Sequence, residues 1–121
     1  MTIESGPHRL HASLSDSPTA RKLLDALPLD GAANIWGDEI YFSVPIEAAL
    51  EPGASDELPP GSIAYWPPGN AFCIIWGPTP ASHGDEPRFA SPVNDLGRID
   101  GDWSALSSIR SGSVARLAKA D

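Results

Sequence analysis

Alternating apolar and polar residues characterise the first extended segments of the chain. In the run from His8 to Leu14, every second residue from Leu10 onward is apolar, a period typical of a half-buried strand. The run from Thr2 to Ser5 precedes it, and the dipeptide Gly6-Pro7 between the two runs is a turn signal. The pattern predicts a β-hairpin at the start of the chain.

A helical period follows at once. Between Pro18 and Leu27 the apolar residues recur every three or four positions, so they share one face of a helix. Ser17 is a favourable N-cap, proline suits the first helical position, and Pro28 ends the helical pattern. These signals predict one well-capped helix, on whose polar face Arg21 and Asp25 can pair.

The remaining pattern is strand-like. The segments that carry it are Glu39 to Val44, Ile63 to Trp66, Ala71 to Trp76, Val93 to Ile99 and Ser113 to Ala118. The second and third are joined by Pro67-Pro68-Gly69-Asn70, a turn signal that predicts another hairpin. The third is apolar on both faces, which predicts a central strand covered on both sides.

A short second helix is predicted near the end of the chain. Asp102 can cap a turn that carries Trp103 and Leu106 and ends at Gly112. Many short strands with one good helix are typical of a small β-barrel or sandwich whose open end the helix covers. Because no repeat, linker or shift in composition divides the chain, a single domain over residues 1–121 is expected.

Composition changes this picture little. Proline and glycine, with 13 and 11 residues, make up about a fifth of the chain, a level that approaches that of disordered sequences. The apolar content of 41% is nevertheless enough for a buried core. The prolines are therefore expected to separate short strands, and the composition excludes a helical bundle, a coiled coil and a disordered tail.

The net charge and the targeting signals of the sequence limit which partners and which location are expected. The chain has a net charge of −8, and such a surface repels phosphate, so neither nucleic acid nor an anionic membrane is an expected partner. The start of the chain lacks a basic and apolar leader, and the apolar run Ala71 to Trp76 is too short to cross a bilayer. These features predict a soluble cytoplasmic protein, a monomer or homodimer, whose partner is a small molecule or a peptide.

Cofactor signals are not found in the sequence. His8 and His11 are expected on opposite faces of a strand, and no further Cys or His cluster completes a metal site, so neither a metal nor another cofactor is expected. No phosphate-binding loop, dinucleotide-binding fingerprint or nucleophile elbow is present. Cys73 lies between apolar residues and is interpreted as a small hydrophobic residue that is not a nucleophile.

One long segment concentrates polar and reactive side chains. It runs from Gly77 to Pro92, 16 residues without strand or helix pattern, and loops of this length are often functional. Its polar residues are Thr79, Ser82, His83, Asp85, Glu86, Arg88 and Ser91. Arg88 is a candidate anion anchor and His83 and Glu86 are candidate acid–base residues, so these three are the candidate catalytic residues. Alternatively, Asp85, Glu86 and Arg88 pair with one another and with backbone to hold the loop.

Residues of the neighbouring strands complete the candidate ligand site. Glu39 and Tyr41 share the face opposite Ile40 and Phe42, so they point either into a groove or into solvent. The candidate ligand-binding residues are Glu39, Tyr41, Trp66, Phe72, Trp76, Thr79, Ser82, Asp85, Phe89, Ser91 and Asn94. The expected site is a mostly apolar groove beside the long loop with a few convergent polar groups.

Three runs of sequence together resemble the small prokaryotic cyclophilin-like proteins, a family of uncharacterised function. The runs are Trp36-Gly37-Asp38-Glu39-Ile40-Tyr41-Phe42, Tyr65-Trp66-Pro67-Pro68-Gly69-Asn70-Ala71-Phe72-Cys73, and Gly77-Pro78-Thr79-Pro80 leading through Gly84-Asp85 to Ser91-Pro92-Val93-Asn94. The resemblance implies a closed eight-stranded β-barrel capped by helices. True cyclophilins isomerise X-Pro bonds with an arginine in a Phe-His-Arg run beside a Gln-Gly-Gly-Asp stretch, and neither run occurs in this sequence.

Several functions remain open at this point. The preferred hypothesis is a barrel that binds a small molecule or short peptide, and it requires Arg88, His83 and Glu39 to converge on one cavity. Peptidyl-prolyl isomerisation is an alternative by analogy of fold, with Arg88 as the one arginine able to substitute. An interaction subunit of a larger enzyme is a third hypothesis and predicts a large exposed apolar patch. Hydrolase or cyclase chemistry on a small metabolite is a fourth.

Overall fold

The computed structural model describes residues 1–120; Asp121, the last residue of the predicted single domain, lies outside the described residues. The described chain forms ten strands, one α-helix and two short 3₁₀ helices. The strands are β1 (Thr2–Ser5), β2 (His8–Leu14), β3 (Leu29–Ala32), β4 (Asn34–Ile35), β5 (Glu39–Ser43), β6 (Ser55–Glu57), β7 (Ser62–Trp66), β8 (Ala71–Ile75), β9 (Arg88–Ile99) and β10 (Val114–Ala118). The helix α1 spans Pro18–Ala26, and the 3₁₀ helices span Pro67–Gly69 and Ser104–Ser108.

The elements with the strongest local signals are confirmed. β1 pairs antiparallel with β2, and β7 pairs antiparallel with β8 across the predicted proline turn. The Ser17 hydroxyl caps α1 by accepting a backbone N–H of the first turn at 3.1 Å. The predicted pair of Arg21 with Asp25 is wrong, because the Arg21 guanidinium reaches back over the helix N-terminus to Asp16 at 2.7 Å.

Other elements differ from the prediction. β9 begins at Arg88, so the predicted 16-residue loop ends at Pro87 and its last five residues belong to a strand. β3, β4 and β6 were not predicted, since they are two to four residues long and carry little apolar alternation. The predicted second helix is a 3₁₀ helix, in which an Asp102 carboxylate oxygen accepts the Ser104 N–H at 2.9 Å.

The strands form one hydrogen-bonded sheet, in the order β3-β10-β1-β2-β9-β7-β8-β5-β4, with β6 paired to β9. The resemblance implied a closed eight-stranded barrel, whereas the described chain has ten strands and no ladder between the two ends of this path. The end strands β3 and β4 are consecutive in the chain, separated by Ala33 alone. Hydrogen bonding therefore shows a mainly β fold with one α-helix and does not confirm the closed barrel.

Gly31 allows β3 to lie directly on the ring of Phe42. A Cβ atom at residue 31 would lie 2.2 Å from the Phe42 Cδ2 atom, far inside van der Waals contact. Phe42 belongs to β5, which lies next to β4 at the other end of the sheet. This contact therefore brings the two ends of the sheet together in the main core. A glycine is required here by close approach and not by backbone conformation.

Two apolar cores lie on opposite faces of the β5, β7 and β8 strands. The main core collects the inward faces of most strands with α1, and Ile40, Phe42 and Ile74 are among its members. The second, smaller core places Phe89 and Val93 of β9 against the outer faces of β7 and β8. β8 is therefore buried along its full length, as its two-sided apolar pattern predicts.

No helix within residues 1–120 is long and apolar enough to cross a membrane.

Candidate functional site

Strand alternation places Glu39 and Tyr41 on the second face of β5. Their neighbours Ile40 and Phe42 face the main core, so the two polar side chains face the smaller core. In the ladder between β5 and β8, Tyr41 is directly opposite Cys73. The sequence left open whether Glu39 points into a groove or into solvent. The structure shows that its side chain is buried, with only 5% of the residue exposed.

A cavity of about 180 Å³ opens on this face, between β5, β8 and the start of β9. Its lining residues are Trp36, Glu39, Tyr41, Trp66, Cys73, Phe89 and Ala90. Four of the seven are aromatic, one is a carboxylate, and none is basic. The cavity is therefore an apolar, aromatic-walled space with a single acidic group.

The segment that carries Trp36, on one side of the cavity, is hydrogen-bonded to the residues that follow β8. The Asp38 N–H donates to the Pro78 carbonyl at 3.0 Å, and the Trp76 N–H donates to the Asp38 carbonyl at 3.0 Å. A Cβ atom at Gly77 would lie 2.3 Å from an Asp38 carboxylate oxygen, so a larger residue there would displace the Asp38 side chain. Two of the three runs that carry the family resemblance thus contact each other and shape one side of the cavity.

The opposite wall is oriented by a hydrogen bond. The Trp66 indole N–H donates to the Ser91 hydroxyl at 2.7 Å, which ties the end of β7 to β9. Gly69 lies under the indole ring, where a Cβ atom would approach Trp66 Cζ3 to 2.9 Å. Ser91 therefore acts on the cavity by positioning Trp66.

Burial alters the acidity of Glu39. Desolvation raises the pKa of its carboxyl group from 4.5 to about 7, and a hydrogen bond with the Cys73 thiol lowers it in part. No basic side chain contributes to this pKa, so the charge of ionised Glu39 is not balanced within the described chain. The carboxyl group is thus divided between its neutral and charged forms near neutral pH.

Cys73 is kept protonated in the same environment. Burial raises the pKa of the thiol well above its ordinary value, and the charge and hydrogen bond of Glu39 raise it further. The thiolate is the nucleophilic form of cysteine, so this site suppresses it. The geometry supports the interpretation of Cys73 as a packed, non-nucleophilic residue, although it lines the cavity.

Arg88 is surrounded by carboxylates. Its Nη1 donates to Asp56 Oδ1 at 2.9 Å, its Nη2 to Glu57 Oε1 at 3.0 Å, and its Nε to Glu86 Oε2 at 2.9 Å. Only 21% of the side chain is exposed. Three negative groups on one guanidinium leave no free positive site for an anionic ligand, so Arg88 does not fit the anion anchor predicted from the sequence.

The loop between β8 and β9 is held by its own polar residues. Glu86 accepts the backbone N–H groups of His83 and Gly84 at 2.8 and 2.7 Å. Those bonds, that of His83 foremost, and the Arg88 guanidinium lower the pKa of Glu86 to about 2. The alternative hypothesis of a self-paired loop therefore fits Glu86 and Arg88, whereas Asp85 is exposed and its carboxylate forms no ion pair with a described residue.

Thr79 and Ser82 also brace this loop. The Thr79 hydroxyl donates to the Arg88 carbonyl at 2.5 Å, and the Ser82 hydroxyl donates to the Glu86 carbonyl at 2.5 Å. His83 is exposed and contributes its backbone N–H to Glu86. These contacts describe a rigid connection in which the polar side chains serve the backbone.

Three other candidate ligand residues lie away from the cavity. Phe72 packs in the main core with its ring centroid 5.5 Å from that of Phe42, and Trp76 packs partly buried against the same core. Asn94 is buried, and its amide donates to the Thr19 hydroxyl at 3.0 Å and to the Ala49 carbonyl at 2.9 Å. These residues hold the fold together.

The cavity therefore brings together only part of the predicted site. Glu39, Tyr41, Trp66 and Phe89 line it, while Arg88 and His83 do not. The required convergence of Arg88, His83 and Glu39 does not occur, because β9 carries Arg88 toward β6 and its acidic residues. In that respect the sequence-based hypothesis is wrong.

Sequence reasoning missed three lining residues. Trp36 stands in one of the runs that carry the resemblance, and that was the available signal. Cys73 lies directly opposite Tyr41 in the ladder between β5 and β8. Correct pairing of these two predicted strands would therefore have identified it as a lining residue. Ala90 carries no chemical signal and lines the cavity only because β9 begins early.

No group of three or more His, Cys, Asp or Glu side chains that could hold a metal ion occurs in the part of the chain that the structure describes.

Comparison with known proteins identifies the family. A family model described as cyclophilin-like matches residues 1–118, nearly the whole chain. The chain therefore belongs to the cyclophilin-like family, as the three sequence runs indicated. A search of curated proteins finds no match.

A solved structure shows the same fold. The solution structure of the hypothetical protein AF2241 from Archaeoglobus fulgidus is 35% identical in sequence and superposes with a TM-score of 0.84. The match covers 98% of this chain and 92% of the archaeal chain. The relative's description names no activity, so the likeness supports the fold and the family.

Proposed function

We propose that this protein binds a small molecule in the cavity lined by Trp36, Glu39 and Trp66. The observation that carries the proposal is a buried carboxyl group without a basic partner among the lining residues of an aromatic-walled cavity. Burying an ionisable group without compensation destabilises a fold, and such groups cluster at functional sites. A bound ligand supplies the missing compensation.

The size of the cavity limits the ligand. At about 180 Å³ it is smaller than the ~300–1,000 Å³ typical of sites for drug-sized ligands. A compact molecule fits it, whereas a peptide can place no more than one side chain in it. The proposal therefore favours the small-molecule form of the hypothesis over the short-peptide form.

No comparable observation supports peptidyl-prolyl isomerisation or the role of an interaction subunit. Isomerisation by analogy with true cyclophilins needs an available arginine, and Arg88 is engaged by three carboxylates. An interaction subunit needs a large apolar patch. The exposed large apolar side chains within residues 1–120 lie on separate segments and are Leu24, Ile35, Leu50 and Val114.

A fragment screen by NMR tests the proposal. Backbone amide shifts of residues around the cavity are followed while compact water-soluble molecules are added, and the hits are repeated with the variant Ala90→Trp. Ala90 lines the cavity and is exposed, so a large side chain there blocks the space without entering the main core. Ala32→Trp is the matched control, since Ala32 is an exposed strand residue outside the cavity lining.

We expect hits that shift cavity amides in the wild-type and Ala32→Trp proteins and that lose affinity at least tenfold in Ala90→Trp. The proposal is overturned if a broad fragment set produces no cavity shifts. It is also overturned if every hit binds Ala90→Trp as well as the wild type, since binding then lies elsewhere.

A further inference from the structure

Four aromatic side chains surround the cavity in addition to its carboxylate: Trp36, Tyr41, Trp66 and Phe89. The one ring–ring contact found among the described residues joins Phe42 to Phe72 in the main core, so the cavity rings are not stacked on one another. The face of an aromatic ring carries negative charge density and attracts cations. A cavity walled by unpaired rings is thus an environment that favours positive charge.

The carboxyl group adds a full negative charge to the same space. Glu39 is buried and has no basic side chain among the seven lining residues. Its titratable neighbours in the cavity are Tyr41 on the same strand and Cys73 on β8, and Asp38 and Arg88, which precede Glu39 and Phe89 in the chain, do not line it. All of these groups are neutral or negative, so nothing in the cavity repels a cation.

We propose that the ligand of this cavity is a small alkylated ammonium ion, with the Glu39 carboxylate as its counter-ion and the rings of Trp36 and Trp66 as its walls. This inference rests on the proposed function and specifies its ligand class. An alkylated ammonium suits the site better than a strongly hydrated one, because four of the seven lining residues are aromatic and few hydrogen-bond acceptors line the cavity.

The charges outside the cavity also favour a positively charged ligand. The chain carries a net charge of −8, which attracts cations and repels anions at long range. Arg88, the basic group close in sequence to Phe89, is neutralised by Asp56, Glu57 and Glu86 and offers no competing site for an anion. Both the cavity lining and the charge of the protein surface therefore favour a cationic ligand over an anionic one.

Choline and its neutral carbon analogue, in which a tert-butyl group replaces the trimethylammonium group, are the probes. The two molecules have nearly the same shape and differ in charge. Binding is measured at pH 8 by NMR shifts of cavity amides and by the fluorescence of the cavity tryptophans. We expect choline to bind at least tenfold more tightly than the neutral analogue.

Two variants locate the source of that preference. Glu39→Gln keeps the shape of the side chain and removes its charge, and we expect it to reduce the preference for choline at least fivefold. Glu4→Gln is the matched control, because it also removes one negative charge but acts at an exposed residue of β1 that pairs with Arg9. It should leave the preference unchanged.

The pH dependence gives an independent readout. Protons compete with the cation for the Glu39 carboxylate, whose pKa is about 7, so the affinity for choline falls as the pH falls through this value and levels off near the affinity of Glu39→Gln. Choline itself has no titrating ammonium proton. In Glu39→Gln this dependence should vanish, while the neutral analogue should bind the wild type with no such dependence.

The failures of the two proposals can be distinguished. If the neutral analogue, or a neutral or anionic hit from the fragment screen, binds the cavity as tightly as choline, the cation inference is overturned and small-molecule binding stands. If choline binds but Glu39→Gln changes neither the preference nor the pH dependence, the assignment of Glu39 as counter-ion is overturned. If no probe or fragment shifts cavity amides, both proposals fail.

Discussion

Glu39 and Cys73 lie diagonally across the ladder between β5 and β8, on the face away from the main core, where each shifts the pKa of the other and the thiol donates to the Ala71 carbonyl at 3.8 Å. The register pairs Glu39 with Ile75 and Tyr41 with Cys73, so the two polar groups are two positions apart along the ladder. Burial raises the pKa of both groups. The pair thus consists of a neutral thiol beside a carboxyl group that titrates near neutral pH.

Glu39→Gln is expected to stabilise the protein above neutral pH. The carboxyl pKa is about 7 in the folded state and 4.5 in the unfolded reference. The contribution of Glu39 to stability is therefore greatest below pH 4.5, falls as the pH rises from 4.5 to 7, and stays reduced by about 3 kcal/mol above that range. Urea unfolding at pH 4.5 and pH 8 should show similar stabilities at the lower pH and a more stable variant at the higher one. A difference that does not change with pH would contradict the raised pKa.

The thiol of Cys73 offers a second test of the same pair. Removing the Glu39 charge and hydrogen bond removes two of the causes that raise the thiol pKa, so Glu39→Gln should lower it while burial keeps it above the ordinary value. Cys73 is the only cysteine, so the ¹³Cβ chemical shift of labelled cysteine, followed against pH by NMR, reports this group alone. An unchanged titration in Glu39→Gln argues against electrostatic contact between the two residues, and Glu4→Gln serves as the control.

Glu86 is expected to titrate far below an ordinary glutamate. Backbone N–H groups, led by that of His83, and the Arg88 guanidinium lower the pKa of this carboxyl group to about 2. The loop contacts are therefore present above pH 4.5 and are lost as the pH falls through about 2. In Arg88→Gln the pKa of Glu86 should rise, yet stay below 4.5 because the backbone donors remain. Carbonyl-detected NMR titration measures both values, and a Glu86 pKa near 4.5 in the wild type would refute the described loop.

Asn94→Ala is expected to destabilise the fold without touching the cavity. Its side chain bonds Thr19, the Ala49 carbonyl and the Glu51 N–H, joining β9 to α1 and to the segment after β5. Losing these three bonds, of which the one to Thr19 is buried and the other two are partly buried, costs about 3 kcal/mol. Asn34→Ala, which removes one exposed bond to the Tyr41 carbonyl, should cost less than about 1 kcal/mol.

Urea unfolding compares the two asparagine variants, and the fragment hits of the proposed site are titrated into each. Asn94 was a candidate ligand residue, so weaker binding to the folded Asn94→Ala protein, at unchanged stability, would restore that role. The described contacts predict the reverse, lower stability with unchanged binding.

The sequence allowed prediction of the elements whose signals are local. The Ser17 cap, the proline start of α1 and the turn between β7 and β8 depend on neighbouring residues and were predicted with nearly correct bounds. The alternation of β5 also predicted that Glu39 and Tyr41 share a face. In each case the physical cause acts within a few residues, so a single sequence contains it.

The path of β9 could not be predicted in this way. The segment from Arg88 to Pro92 has no clear alternation, and it is extended because β6, some thirty residues earlier, pairs with it. The same pairing brings Asp56 and Glu57 to Arg88 and neutralises the group chosen as anion anchor. Non-local pairing of this kind overrides local pattern, since strand formation depends on what lies across the ladder.

By itself, the sequence determined the class of elements, the family and the face on which the acidic and aromatic residues of β5 stand, because alternation and turn chemistry are local properties. Only the tertiary structure decided which residues meet. It placed Trp36 and Ala90 beside Glu39, and it directed Arg88 away from all three. The reason is that a cavity is formed by segments distant in sequence, and their mutual approach is set by packing and strand pairing across the whole fold.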